Sequence, residues 1–278
     1  LVVAHGGESL KYATAAGVDS PLVYHKIGVL NSAFERPASR ILHRAAVARA
    51  HAVVAISEAA RREAIDRLGV HPSSISVIPN ARDPEKFWPS PRCNSIPLLT
   101  FVGHLGRSKR PNWLVEAASE LRSRGHEFEA VIAGSGPLLG ELRREARSAG
   151  VALIGHVDDV ADLLRRTDVL AFPSMPFEGM PGVLIEAAMS GAACVTTDVP
   201  GASDVVMHGE TGLIVPPDRF DLFVDSIEQL IVDPERSVRF GHAARSTAVE
   251  RFHPRRIATA WESLCHHILE ESPCACST

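Results

Sequence analysis

Two glutamates with seven residues between them mark the strongest chemical signal of this sequence. The run Phe177–Glu186 has Glu178 at its entrance, Gly179 and Gly182 in its middle and Glu186 at its end. Glycines let a backbone approach a ligand closely, and a helix start after the loop offers N–H groups to phosphate oxygens. The two carboxylates suit the hydroxyls of a sugar and a ribose on either side of a diphosphate. A helix start favoured by acidic residues alone is the plainer alternative.

A second loop carries positive charge directly after a strand-like run. Gly103 and Gly106 make a flexible turn, and Lys109 then begins what we expect to be the next helix. A lysine there can meet a phosphate as a point charge, with Arg107 as a second cation. A solvated basic loop explains the same residues.

Two further glycine turns follow strand-like runs. Gly134 and Gly136 flank a serine and lack the third glycine of a dinucleotide fingerprint, so a tight turn made for packing explains them as well. Gly155 precedes His156 and Val157, whose backbone could border a nucleobase or simply lead into a helix. All these loops are expected at one edge of a parallel sheet, and this convergence favours a binding site over coincidence.

The elements that must position these loops alternate between short β-branched runs and amphipathic helical stretches. Such alternation predicts βα units and a parallel sheet. The predicted strands are Pro21–Tyr24, His51–Ile56, Ser76–Ile78, Leu98–Val102, Glu129–Ala133, Val151–Ile154, Val169–Phe172 and Ala192–Thr196. The predicted helices are Pro37–Arg49, Glu58–Leu68, Asn112–Arg124, Pro137–Ala149, Val160–Arg165, Pro181–Ser190, Arg219–Val232, Glu235–Arg251 and Pro254–Glu270. The proline-rich segment Asn80–Pro97 is predicted to connect two domains, and the tail from Ser272 to be frayed.

Composition excludes several classes of protein. Of 278 residues, 45% are hydrophobic, 22% charged and 5% aromatic, which suits helices packed on buried parallel strands. A net charge of −4 argues against a general nucleic-acid binder. No apolar run approaches the roughly 18 residues of a membrane-spanning helix. The cysteines show no metal-binding spacing, which favours the reducing cytoplasm, and peripheral association with the inner face of a membrane stays compatible. They are Cys93, Cys194, Cys265, Cys274 and Cys276.

In combination, the motifs resemble glycosyltransferase family 4, whose members move a sugar from a nucleotide donor to an acceptor with retention. The paired glutamates match at Glu178 and Glu186, and the phosphate loop matches at Gly103 and Lys109. Further similar stretches are Val53–Ser57, Val77–Asn80, Gly134–Pro137 and Gly209–Val215. The resemblance extends from about Val2 to about Phe252.

The resemblance implies an α/β protein of the GT-B type, with two Rossmann-like domains facing across a cleft. Residues 1–90 would form the acceptor-side domain, 91–252 the nucleotide-sugar-binding domain, and 253–278 a helix packing back toward the first domain, and a tail. Because the chain starts at Leu1 without methionine, in what resembles a strand already begun, we expect the first domain to be incomplete.

The resemblance also assigns roles at matched positions. Glu178 would contact the donor sugar, Glu186 the ribose hydroxyls, and Lys109 the diphosphate. The N–H groups of Gly182 and Val183 would meet the same diphosphate. The full set of expected donor-binding residues is Gly103, His104, Arg107, Lys109, Gly134, Gly136, His156, Val157, Glu178, Gly179, Met180, Pro181, Gly182, Val183 and Glu186.

Two positions depart from the family pattern. His104 stands where an arginine is usual, and Ile27 stands where the acceptor-side domain normally has a histidine. His25, two residues earlier, is the substitute candidate, and His5 is another residue that could line the cleft. The expected catalytic residues are therefore Glu178, His25 and Lys109.

The resulting interpretation is a retaining, metal-independent hexosyltransferase without a cofactor, acting on a nucleotide-diphosphate sugar and an unidentified glycan, lipid or small-molecule acceptor. No Asp-x-Asp pair is present to hold a metal, because Asp158 and Asp159 are adjacent. A UDP-sugar epimerase of the same fold and a non-catalytic sugar-nucleotide-binding module stay open as alternatives. A nicotinamide dehydrogenase is disfavoured by the incomplete glycine fingerprint.

Overall fold

The computed structural model describes residues 1–30, 32–90 and 96–271 and divides the chain into two units. Unit 1 comprises Leu1–Ala81, Phe177–Met180 and the described residues from Pro254 on; unit 2 comprises the described parts of Arg82–Pro176, and Pro181–His253. The division at Ala81 lies inside the proline-rich segment, earlier than the boundary expected after residue 90. Cys93, Cys274, Cys276 and the tail from Ser272 lie outside the described residues.

Unit 1 is built on a parallel sheet of four strands in the order β1-β2-β3-β4. The strands are β1 (Val2–His5), β2 (Leu22–Lys26), β3 (Ala52–Ala55) and β4 (Ile75–Val77). Its first three helices are α1 (Gly6–Ala15), α2 (Pro37–Val47) and α3 (Glu58–Glu63), the last continued as a π-helix over Ala64–Leu68. Both β2 and β3 are buried along their whole length, as expected of strands covered on two faces.

Unit 2 is built on a parallel sheet of six strands in the order β10-β9-β8-β5-β6-β7. The strands are β5 (Leu98–Val102), β6 (Glu129–Ala133), β7 (Ala152–Gly155), β8 (Val169–Phe172), β9 (Ala193–Thr197) and β10 (Gly212–Val215). The helices are α4 (Asn112–Ser123), α5 (Leu139–Ser148), α6 (Val160–Arg166), α7 (Gly182–Met189), α8 (Phe220–Ile231) and α9 (Pro234–Phe252). The fold class predicted from sequence, α/β with parallel sheets, is confirmed.

The strand order of unit 2 fixes where a ligand can bind. The chain proceeds outward from β5 through β6 to β7, then returns to β8 on the other side of β5 and proceeds to β10. In a doubly wound sheet, the crevice beyond the carboxyl ends of the strands at this reversal is the usual ligand site. The loops after β5 and β8 therefore lie where chemistry is expected.

Local sequence explains where several helices begin. The Ser57 hydroxyl accepts a hydrogen bond from the Ala60 N–H at 3.1 Å, so it caps α3. The Asp233 carboxylate accepts one from the Arg236 N–H at 2.9 Å, and Pro234 occupies the first helical position of α9.

The last helix, α10 (Pro254–Glu271), belongs to unit 1. Its buried residues Ile257 and Ile268 join Val23 and Val54 of β2 and β3 in one apolar cluster. Trp261 packs at the edge of this cluster. The carboxyl-terminal helix thus completes the core of the amino-terminal sheet.

Two elements differ from the sequence-based expectations. Helix α1 begins at Gly6 and was not among the predicted helices. Strand β10 adds a sixth strand at the edge of the larger sheet, pairing in parallel with β9 from Gly212 onward. Its run of four residues is short and lies among loop residues, so periodicity did not distinguish it.

A buried histidine makes the stability of unit 1 depend on pH. Burial, with a smaller effect of nearby His5, lowers the pKa of His25 from its ordinary value of 6.5 to about 4. At a pH between these two pKa values, the histidine is protonated in the unfolded chain but neutral in the folded chain. The free energy of unfolding therefore falls as the pH falls. We expect a loss of about 2 kcal/mol from pH 7 to pH 5.

Urea unfolding at the two pH values measures this loss in the parent and in His25→Leu. The variant is expected to lose about 2 kcal/mol less stability than the parent between the two pH values, because only the contribution of His25 is removed. Equal dependence in both proteins would show that His25 is not its source.

Candidate functional site

The loop after β5 holds Lys109 in front of the neighbouring strand. Arg107–Lys109 form a 3-10 turn, and Arg110 then adopts a left-handed conformation with φ of 47°. Helix α4 therefore begins only at Asn112, and the expectation that Lys109 begins a helix is wrong. The turn places the Lys109 ammonium 5.1 Å from the centre of the Phe172 ring, at the carboxyl end of β8. Its positive charge thus lies at the reversal point of the sheet.

Backbone hydrogen bonds hold the loops of unit 2 together. The Leu105 N–H donates to the Ser135 carbonyl at 2.8 Å, which joins the loops after β5 and β6. The Gly134 N–H donates to the Gly155 carbonyl at 2.6 Å, which joins the loop after β6 to the end of β7. The Met175 N–H donates to the Ser108 carbonyl at 2.7 Å, which joins the loops after β5 and β8. The glycine-bearing loops expected to converge do so.

A cavity of about 300 Å³ opens among three of these loops. Its apolar lining includes Val102 and Val160, which suit the faces of a flat ring. The other lining residues are Gly103, His104, Ala133, Gly134, Ser135, His156 and Val157. His156 and Val157, the two residues expected to border the base, both line this cavity, together with three other expected donor-binding residues, Gly103, His104 and Gly134. Arg107 and Gly136 lie in the same loops without lining it.

The backbone at Gly134 and Gly136 packs so closely against the loop after β5 that a side chain has no room. A Cβ at position 134 would overlap the Gly103 carbonyl oxygen, and one at 136 would lie 2.6 Å from the Leu105 carbonyl oxygen. Both turns thus have a structural reason, and Gly134 also borders the cavity.

Gly134→Ala is accordingly expected to destabilise the protein by about 2 to 3 kcal/mol, because a backbone clash cannot relax by side-chain motion. Gly140→Ala in α5 is the matched control, since nothing lies within 4 Å of its added Cβ. The control should be neutral or stabilising by about 0.5 to 1 kcal/mol. Chemical denaturation of both variants measures the difference; equal stabilities would contradict the tight packing.

The start of α7 carries an arginine that sequence analysis missed. The Arg82 Nε donates to the Glu186 carboxylate at 2.6 Å. A Cβ at Gly182 would overlap the Arg82 guanidinium, so this cation lies directly over the first turn of the helix. Arg82 lies just past the stretch Val77–Asn80 that matches the family, in a segment without periodicity, and no pattern marked it.

The glutamate loop divides between the units. Phe177–Met180, which includes Glu178, belongs to unit 1, while Gly182 and Glu186 belong to unit 2. Gly179 lies against the backbone of Ile27, where a Cβ would overlap the carbonyl oxygen. Its lack of a side chain is therefore explained by packing within unit 1.

The position of His25 argues against its expected catalytic role. The side chain is only 8% exposed and packs in an edge-on arrangement against Trp261 of α10, with ring centres 5.1 Å apart. Its Nδ1 lies 3.0 Å from Nδ1 of His5. In a strand, alternate residues point to opposite faces, so His25 points into the core while Tyr24 faces the other side. His25 is better explained as a core residue.

In the described part of the chain, no helix combines the length and the apolar character that a membrane span requires. No group of three or more His, Cys, Asp or Glu side chains among the described residues is arranged to hold a metal ion.

Two family models match the chain in succession. Glycosyltransferase Family 4 matches residues 1–86, and Glycosyl transferases group 1 matches residues 96–233. The first match covers the amino-terminal part of unit 1 and the first few residues of unit 2, and the second lies mostly in unit 2. Together they account for most of the chain.

Curated relatives give the same result. A GDP-mannose-dependent alpha-(1-6)-phosphatidylinositol monomannoside mannosyltransferase of Mycobacterium tuberculosis is 30% identical over 195 residues, covering 62% of this chain and 51% of the relative. A UDP-Gal:alpha-D-GlcNAc-diphosphoundecaprenol alpha-1,3-galactosyltransferase of Escherichia coli is 28% identical over 187 residues, covering 61% and 48%. The chain spans about half the length of the curated relatives it matches.

Solved structures share the fold. HepE of Anabaena, in complex with UDP, superposes with a TM-score of 0.84 at 21% identity, over 95% of this chain and 78% of the other. Sucrose-phosphate synthase of Thermosynechococcus elongatus superposes with a TM-score of 0.83 at 19% identity, over 97% and 74%. With the family models and the curated relatives, this likeness establishes that the chain belongs to the group 1 glycosyltransferases of family 4, which have the GT-B fold.

Proposed function

We propose that this chain carries the donor side of a retaining glycosyltransferase, which moves a sugar from a nucleotide-diphosphate sugar to an acceptor. The observation that carries the proposal is the set of loops after β5, β6, β7 and β8. Hydrogen bonds hold these loops together at the reversal point of a doubly wound sheet, with a cation and a helix start among them.

The cavity and its surroundings suggest how the donor binds. The base would enter the cavity beside His156 and Val157, between apolar walls. The diphosphate would meet Lys109 and the N–H groups at the start of α7, because developing negative charge is stabilised by cations and helix N-termini. His104 borders the same cavity, in the position where the family usually has arginine.

The ion pair between Arg82 and Glu186 changes the role proposed for Glu186. The Glu186 carboxylate already accepts a hydrogen bond from Arg82 and so holds the Arg82 guanidinium over Gly182, where the diphosphate is expected. We infer that Arg82 turns toward the phosphates when the donor enters. Glu186 then serves the ribose hydroxyls while it keeps Arg82 within reach.

Glu178 is proposed to contact the sugar, as the family resemblance implies, and the transfer is proposed to proceed with retention and without a metal. Lys109, Arg82 and the start of α7 supply the positive charge that a leaving diphosphate requires. Solved structures of HepE with UDP and with UDP-glucose make UDP and UDP-glucose the first probes to use.

A thermal-shift series with UDP, GDP and ADP and with their glucose or mannose conjugates tests the proposal. A ligand at about 100 times its dissociation constant stabilises the folded protein by about 2.7 kcal/mol, which is easily detected. Stabilisation by one base over the others supports a nucleotide site; the absence of stabilisation by all of them would contradict it.

The products formed from the bound sugar nucleotide test the chemistry. Proton NMR of sugar released by slow hydrolysis should show the anomer of the donor, as retention requires. Inversion would contradict the retaining mechanism, and conversion of the bound sugar into its epimer would identify an epimerase instead.

A further inference from the structure

A second cavity, of about 250 Å³, lies in unit 1 at the beginning of α1. Gly6 and Gly7 line it from the helix start, and Ser39 and His43 of α2 line it from the side. Lys11 adds an ammonium group. None of its lining residues belongs to the loops proposed to bind the nucleotide, so it calls for a separate explanation.

The first turn of α1 is open toward this cavity. Neither of the first two helical residues has a side chain, and His5 at the N-cap makes no capping hydrogen bond with its side chain. The first N–H groups of a helix lack partners within it and carry the positive end of its dipole. The Glu8 carboxylate also lines the cavity, where it is 76% exposed and pairs with Lys11 at 2.6 Å.

His43 supplies a second, independent sign of a ligand. Its side chain is 8% exposed, and its Nε2 has no hydrogen-bond partner among the residues that the structure describes. The imidazole stands beside the helix start, because a Cβ at Gly7 would lie 2.8 Å from its Cε1 and 3.7 Å from its Nε2. The rings of Tyr24 and Phe34, each with its centre 6.0 Å away, enclose it.

A buried donor without a partner destabilises the folded state, so native proteins seldom keep one without a use. Burial holds the pKa of His43 below its ordinary value, as does the positive charge of Lys11. The neutral ring has one N–H to donate, and with the proton on Nε2 this donor has no partner among the described residues.

We propose that this cavity binds a phosphate group, carried by the acceptor, through the first N–H groups of α1, the His43 Nε2–H and the Lys11 ammonium. Phosphate oxygens accept from several donors at once, and helix starts with glycine are ready-made sites for them. That the phosphate belongs to the acceptor rests on the proposed function. The binding of phosphate itself does not.

Titration calorimetry with inorganic phosphate on the full chain, at saturating UDP, tests the site. His43→Leu removes the donor and is expected to weaken phosphate binding at least about tenfold, since one hydrogen bond to a charged group is worth about 1.5 kcal/mol or more. His43→Gln, which keeps an N–H donor, should recover part of this loss. Gly7→Ala, whose Cβ would press on the imidazole, should weaken binding without removing His43.

Lys86→Ala is the matched control, because it removes an exposed cation of unit 2 that belongs to neither proposed site. Phosphate binding unchanged in Lys86→Ala but lost in His43→Leu and Gly7→Ala supports the proposal. Phosphate that does not bind, or that binds equally to parent and both unit 1 variants, overturns it. Circular dichroism checks that each variant folds. Should His43→Leu fail to fold, the phosphate affinity of Gly7→Ala tests the proposal instead.

Two further arms identify the source of the phosphate and separate the two proposals. Glycerol phosphate stands for a soluble phosphomonoester, and phosphatidic acid in phosphatidylcholine vesicles stands for a lipid headgroup. Binding of either probe that depends on His43 supports the site, whereas failure of both probes to bind overturns it.

UDP is titrated into the same variants. UDP binding without phosphate binding refutes this inference alone, whereas phosphate binding without UDP binding refutes the proposed donor site alone.

Discussion

Lys109→Ala is expected to weaken UDP binding by roughly 10- to 100-fold while leaving the binding of uridine unchanged, because a charge-assisted contact is worth about 1.5 to 3 kcal/mol. Lys109 lies at the reversal point of the sheet, next to the Phe172 ring. It is therefore placed to meet the diphosphate and not the base. Calorimetry with UDP and with uridine measures the two affinities separately.

Lys86→Ala provides the matched control for this prediction. Lys86 is exposed, belongs to unit 2 and lies 5.7 Å from the centre of the Phe87 ring, so its removal takes away the same kind of contact elsewhere. The control should bind UDP like the parent. Equal UDP affinity in the Lys109 variant would remove Lys109 from the site, and equal losses in both variants would show a general effect of charge.

Glu186→Gln is expected to weaken UDP and UDP-glucose alike, whereas Glu178→Gln is expected to spare UDP and to lower the affinity or turnover of the sugar nucleotide. The ribose is present in both ligands, but the sugar only in one. A loss of about 1 to 3 kcal/mol, or roughly 5- to 150-fold, is expected where a buried polar partner is left unpaired. Calorimetry on both ligands measures it; unchanged binding of both ligands in both variants would leave the motif as a mere helix start.

The ion pair between Arg82 and Glu186 adds a further test of the prediction for Glu186→Gln. If Glu186 acts partly by holding Arg82, the losses caused by Glu186→Gln and Arg82→Ala should not add in the double variant. Residues in contact show coupling energies of about 0.5 to 3 kcal/mol in such a cycle. Strict additivity would mean that Glu186 and Arg82 act independently on the ligand.

Much of the larger sheet was predictable because strands buried on both faces appear as continuous apolar runs. β5, β6 and β8 lie at the predicted residues, and β7 and β9 are displaced by one residue. Strand ends are less certain because the last hydrogen bonds depend on the neighbouring strand. β10 escaped prediction for a related reason, since its pairing with β9 makes four residues a strand.

Other features depend on distant contacts that no local pattern carries. Helix α1 begins at two glycines, which are poor helix formers. His25 was assigned to catalysis from its distance along the chain to a family position, whereas the alternation of β2 turns it toward Trp261. Arg82 and Glu186 are more than a hundred positions apart in the sequence, and only the fold brings them together.

The convergence of the glycine loops was predictable, because parallel strands end at one edge of their sheet. The structure adds the hydrogen bonds between Leu105, Ser135, Gly134 and Gly155 that hold these loops together. It also shows that Gly134 and Gly136 are required by packing, so ligand approach need not explain them.

The central claim is that the carboxyl edge of the six-stranded sheet binds a nucleoside diphosphate, and a crystal structure of the chain soaked with UDP tests it most directly. We predict the base in the cavity beside His156 and Val157. The diphosphate should lie within hydrogen-bonding distance of Lys109 and of the N–H groups of Gly182 and Val183. A nucleotide bound outside the six-stranded unit, or in the cavity with its phosphates turned away from Lys109 and α7, would contradict the account.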